Sequence, residues 1–186
     1  MRTVWLLRSA IAAMAIALSA TVPAVAAPLT VDDGWYTFDV DGSTSTSFGL
    51  EWIDLDGNRL IYEFDVVGTA LLRIVDAGFG GDEFELQLNG AQLFTSVAAN
   101  TFPTSIGLDF DGAFADHANY SWKALHLTSG HYALTGQLSA SALDDTGLPL
   151  NATVGGVNVT SVSEPVLGLS FLGVVALLAL RTRRLA

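Results

Sequence analysis

Large apolar side chains recur at every second position through the middle of this chain. Tyr36, Phe38 and Val40 alternate with Thr37, Asp39 and Asp41. The same period returns at Phe48, Leu50 and Trp52, at Tyr62, Phe64 and Val66, at Phe84, Leu86 and Leu88, and at Tyr132, Leu134 and Leu138. Successive side chains of a strand point to opposite faces, so a period of two marks strands with one buried face. Turn residues punctuate the runs. Asp56-Gly57-Asn58 follows the Phe48–Trp52 run, and Asn89-Gly90 separates Phe84–Leu88 from Ala91–Val97. Both are hairpin signals, because Gly and Asn tolerate positive φ. Ser129-Gly130 is expected to make another turn before His131. No amphipathic helix of useful length stands out between residues 27 and 162. The pattern predicts an all-β domain there, about nine short strands in an antiparallel, jelly-roll-like β-sandwich.

The two ends break the alternation. Arg2 and Arg8 precede an apolar run, Ala10–Leu18, and a small-residue stretch, Ala24-Val25-Ala26-Ala27. This is the three-part layout of a secretory signal peptide, residues 1–26, with signal peptidase reading Ala24 and Ala26 and cutting after Ala26. At the other end Ser163-Glu164-Pro165 introduces an uncharged run, Val166–Leu180, followed by Arg181, Arg183 and Arg184. As a helix that run spans about 22 Å, short of the ~30 Å hydrocarbon core, and snorkelling arginines extend it. It is expected to be a transmembrane helix with the arginines on the cytoplasmic side.

Glu164-Pro165, the apolar stretch and the terminal Arg181, Arg183 and Arg184 resemble the PEP-CTERM sorting signal of Gram-negative bacteria. Ser163 departs from the first proline of that motif. The resemblance covers residues 163–186. It implies export, transient anchoring in the inner membrane, processing by an exosortase, and association with extracellular polysaccharide. The stretches Leu72–Gly90 and Leu125–Gly136 also resemble segments common in such exported proteins, which carry no assigned chemistry.

Charge narrows the partners. Of 8 Lys+Arg, only Arg59, Arg73 and Lys123 lie between the tails, against all but one of the 19 Asp+Glu. A nucleic-acid binder needs Lys and Arg to neutralise phosphates, so that class is excluded. Zero Cys excludes a disulfide framework, a thiol nucleophile and cysteine metal ligands.

Candidate chemistry is sparse. Asp54, Asp56 and Asn58 have the alternate spacing of a calcium loop, but Arg59 stands where an EF-hand needs Gly, and a hairpin turn is expected instead. Asp76 and Asp82 border the Gly78–Gly81 stretch and form a better calcium candidate, with Glu83, Asp109 or Asp111 as completing ligands; turn capping is the competing role. His126 and His131 would face each other across the Ser129-Gly130 turn, with His117 elsewhere, and nothing fixes a zinc geometry. No nucleophile elbow, phosphate loop or dinucleotide fingerprint occurs. Trp35 and Trp122 are the candidates for stacking on sugar rings, whereas Trp52 continues a core face. The expectation is a non-enzymatic, exported cell-surface or matrix protein. A carbohydrate-binding module is the first alternative and a secreted polysaccharide hydrolase the second.

Overall fold

The computed structural model describes residues 24–98 and 105–163. Its elements are β1 (Val25–Pro28), β2 (Trp35–Asp41), β3 (Leu60–Phe79), β4 (Glu83–Leu88), β5 (Ala91–Phe94), β6 (Ser105–Gly107), α1 (Phe110–Ala115), β7 (Trp122–Ala140) and β8 (Ala152–Ser161). Among the described residues the fold is all-β with one short helix. The strands lie in the order β2-β8-β3-β7-β4-β5, all antiparallel; β6 adds to β3 antiparallel and β1 adds to β3 parallel.

The sheet folds back over its own core. Phe38 on β2 and Phe84 on β4 are four strand steps apart, about 19 Å on a flat sheet, yet their rings lie 5.2 Å centroid to centroid. The open side is stitched by residues 51–53. Ile53 bridges Asp39 on β2, and Glu51 bridges Gln137 on β7. Inside lie Phe38, Trp52, Leu72, Ile74, Phe84, Leu86, Leu134, Val157 and Val159, all without solvent exposure. Trp52 stacks on Phe38 at 3.8 Å, and Phe84 meets both rings edge-on. Each such aromatic pair adds about 0.5–1.5 kcal/mol beyond the area it buries.

Several expectations are corrected. The strands of the centre are long: β3 has 20 residues and β7 has 19. Ser129-Gly130 makes no turn; it lies within β7, opposite a bulge. Between the pairs Val66↔Gly130 and Thr69↔Thr128, β3 inserts Val67 and Gly68 against Ser129 alone. Gly68 takes φ +80°, and its N–H donates to Ser129 Oγ at 2.8 Å. The extra residue bends both strands, so each serves two parts of the sheet. Phe48 is not inward-facing: it sits at φ +57° and is 85% exposed, and only Glu51 and Ile53 of that run form bridges. The preceding residues 43–47 form a hydrogen-bonded turn, with Ser45 Oγ donating to Glu51 at 2.7 Å. The Asn89-Gly90 hairpin is present, with φ of +49° and +79°.

Ala24 and Ala26 fall at the edge of the domain. Val25 and Ala26 pair with Leu60 and Ile61 in β1. Cleavage after Ala26 would leave Ala27 and Pro28 opposite Tyr62 and Glu63. At the far end β8 stops at Ser161, and Val162 N–H donates to Thr69 O at 2.9 Å. Glu164, Pro165, the 166–180 run and Arg181, Arg183 and Arg184 lie outside the described residues. Among the described residues no helix is long and apolar enough to cross a membrane.

Candidate functional site: an aromatic face beside the helix

Trp35 opens β2 and Trp122 opens β7, and α1 lies between their rings. Asp109 caps the helix by accepting from Gly112 N–H at 3.0 Å. The cap sets Phe110 and Ala113 down on the sheet, where they pack with Val75, Ala77 and Tyr120 in a second, smaller core. Gly156 of β8 makes room for this. A side chain there would meet Phe110 at 2.7 Å and Trp35 at 3.0 Å.

The half-buried rings then form a continuous row. Trp35 lies 5.7 Å from Phe110 and 6.1 Å from Phe114, and Phe114 lies 5.8 Å from Trp122. His117, exposed, stacks on Trp122 at 4.1 Å. Polar groups are set into the row. Arg73 of β3 holds its guanidinium over Trp35 at 4.9 Å and over Phe114 at 5.4 Å. Its Nε and Nη2 donate to Asn158 Oδ1 at 3.2 and 2.9 Å, and Asn158 Nδ2 donates to Gly34 O at 2.6 Å. Asp111 accepts from Trp35 Nε1 at 3.1 Å and faces Arg73 Nη1 at 3.6 Å. The arrangement offers apolar ring surface with a fixed cation, a largely exposed carboxylate and an imidazole along it. It contains no activated nucleophile. Chemically it can stack and hydrogen-bond a polyhydroxylated ligand.

The remaining sequence candidates separate. Asp54 is a turn residue whose Oδ1 accepts from Asp56 N–H and Asn58 N–H, both at 2.9 Å. His131 sits on β7 with Nδ1 3.0 Å from Asp65, and His126 is on the same strand, so they do not face each other across a turn. Tyr120 and Trp52 are buried and belong to the two cores. Asp76 and Asp82 come together, at 0% and 1% exposure. Burial pushes both carboxyls above the usual carboxylate range, and for Asp76 the charge of Asp82 adds to it. The three carboxylates expected to complete their site do not join them. Glu83 accepts from Ala98 N–H, Asp109 caps α1, and Asp111 serves Trp35 and Arg73. Among the described residues no group of three or more His, Cys, Asp or Glu is placed to hold a metal.

Arg73, Phe114 and His117 were missed as parts of the aromatic face. Arg73 is organised by Asn158, its cross-strand neighbour on β8, and by Asp111 of α1, both distant in sequence, so no local pattern marks it.

No protein-family model matches the chain, and no curated protein matches it. Among solved structures it is similar to the pre-peptidase C-terminal domain of a collagenase from Bacillus anthracis, at 13% identity over 74% of this chain and 96% of that one, with a TM-score of 0.36. It is also similar to the CBM35 from Cellvibrio japonicus Abf62, at 16% identity over 63% of this chain and 72% of that one, with a TM-score of 0.30. Both overlaps are loose, below the level at which a likeness carries function.

Proposed function

We propose that this is a non-enzymatic, exported matrix protein whose β domain, a jelly-roll-like sandwich, contacts extracellular polysaccharide through the aromatic face. The observation that carries this reading is the convergence of Trp35 and Trp122 on one half-exposed row with Arg73, Asp111 and His117. Large aromatics with one wet edge are the usual contact for ligands that are apolar on one face and polar on the rim. Delivery falls to the two tails: signal peptidase removes residues 1–26, and an exosortase processes the 163–186 signal after transient anchoring.

The test is affinity electrophoresis of the exported protein through gels containing the host's exopolysaccharide. Wild type is retarded. Trp35→Ala and Trp122→Ala each lose most of the retardation, about tenfold or more in affinity, the weight of one lost stacking contact of ~1.5 kcal/mol. Phe94→Ala, at an exposed site on β5, leaves it unchanged. Equal migration of wild type and both Trp variants would remove the aromatic face from the account. Turnover of the polysaccharide would favour the hydrolase reading.

A further inference from the structure

Three inward-facing alternations end in oxygen side chains at one end of the main core. On β3 the series Leu72, Ile74 continues to Asp76; on β8 the series Val159, Val157, Gly155 continues to Thr153; and Asp82 precedes Phe84 and Leu86 of β4 by the same period. Gly78 and Gly81, at φ +68° and +114°, turn the chain so that the two carboxyls meet. Asp76 Oδ2 accepts from Asp82 N–H at 3.2 Å, and Asp76 Oδ1 accepts from Thr153 Oγ1 at 3.3 Å. Asp82 Oδ1 accepts from Ala142 N–H at 2.8 Å. Among the described residues, two buried oxygens have no partner within hydrogen-bond geometry, Asp82 Oδ2 and Ser121 Oγ, although the hydroxyls of Thr153 and Ser141 stand close enough to the Asp82 carboxyl to favour its charged form. Ser121 lies opposite Asp76, whose N–H donates to its carbonyl at 2.9 Å, so their side chains share a face.

No positive group offsets these carboxylates. The ion pairs among the described residues are Arg73–Asp111 and His131–Asp65, neither of them here. Two uncompensated buried charges cost far more than a few neutral hydrogen bonds return. A cation, or a proton, has to enter. A proton on Asp82 Oδ2, donated toward Asp76, or a metal ion bound to it would each satisfy that buried oxygen; the unpartnered Ser121 hydroxyl beside the pair adds a further hard oxygen for a metal.

We propose that Asp76 and Asp82, with the hydroxyls of Thr153 and Ser121, bind a calcium ion. All the donors are hard oxygens, and neither Cys nor His is among them, which disfavours zinc. Magnesium keeps several waters and demands a strict octahedron; calcium sheds water more readily and takes about six to eight oxygens in flexible geometry. The Ala77 carbonyl, 3.5 Å from Thr153 Oγ1, is a further oxygen at the rim. A cleft of about 410 Å³ lined by Asp39, Asp41, Asp54 and Thr153 adjoins the site at Thr153, and its acidic lining attracts cations. The proposal is independent of the aromatic face.

The test uses the full chain in detergent, titrated with calcium chloride by calorimetry and melted with calcium or with chelator. One ion per chain is expected, with a rise in Tm of roughly 5 °C or more at saturating calcium. Asp82→Asn loses that response. If Asp82→Asn fails to fold, Thr153→Val keeps both carboxylates and weakens calcium roughly tenfold; unchanged affinity in that variant overturns the proposal. So does a calcium response that persists in Asp82→Asn, because the ion then sits elsewhere. Identical melting in calcium and chelator also overturns it, and means that the pair shares a proton. The native state would then hold a proton that the unfolded chain releases above the ordinary value of 3.8, so stability would fall as pH rises from that point through the raised native value.

Discussion

Two adjacent glycines on β8 decide how the aromatics are shared between the faces of the sheet. Gly155 faces the main core, where a Cβ would come within 2.2 Å of Phe38 and 2.8 Å of the Val75 carbonyl. Gly156 faces the other way and admits Phe110 and Trp35. Neither Phe38, stacked on Trp52, nor the β3 backbone has room to yield. Gly155→Ala is therefore expected to cost about 3 kcal/mol, the upper range for overpacking a dense core. Gly90→Ala is the contrast. Nothing lies within 4 Å of its added carbon, and only its φ of +79° is strained, for about 1 kcal/mol. Urea unfolding midpoints at constant m-value measure both; equal losses would mean that the core relaxes around Gly155. At this scale the sequence was partly readable. Trp52 is core, as expected, but through its stack on Phe38 rather than as the next member of a strand that begins at Phe48. The burial of Asp76 and Asp82 was not readable, since an Asp beside a glycine turn looks the same whether it caps the turn in water or closes a core. What separates the two is the position of Thr153 and Ala142, which only the register of β8 and the chain after β7 supplies.

Strands β3 and β7 carry the fold, and α1 carries the face. The alternating parts of the two long strands, Tyr62–Val66 and Tyr132–Leu138, were legible because one side of them is wet. The stretch Ala70–Ala77 was not, because β3 is covered there on both sides: Leu72 and Ile74 enter the main core while Val75 and Ala77 meet Phe110 and Tyr120. A strand buried on both faces loses its alternation. The bend at Gly68 was mistaken for a turn at its partner, Ser129-Gly130, since a bulge and a turn use the same residues. Helix α1, at six residues, is too short to show a period and exists through its Asp109 cap and its buried Phe110. Phe110→Ala is expected to cost about 3 kcal/mol. It should also raise Trp fluorescence quenching by iodide, because Trp35 loses the ring beneath it. Loss of stability without any change in quenching would show that α1 does not position Trp35.

The whole molecule joins an acidic, closed sheet to two tails of different chemistry. Between the tails, three basic residues face eighteen acids, a balance that favours solubility and draws divalent cations toward the domain. Both junctions are exposed: β1 leads in from Ala24, and Ser163 leaves the sheet just after the Val162 hydrogen bond. An exposed segment before the apolar run is what a membrane protease requires. Pro165 disfavours helix in Glu164, so the helix is expected to start after it. The arginines at 181, 183 and 184 are expected to stop translocation. The central claim is that the chain is delivered to the matrix through this signal. It is tested most directly by comparing the size and location of the internally tagged chain in host strains with and without the exosortase. The account predicts a shortened form in the matrix fraction of the first strain, and a full-length form held in the membrane of the second. It predicts the same retention when Pro165→Ala or a deletion of residues 181–184 is made in the first. A full-length chain in the membrane of both strains would make the tail a plain anchor and contradict the account.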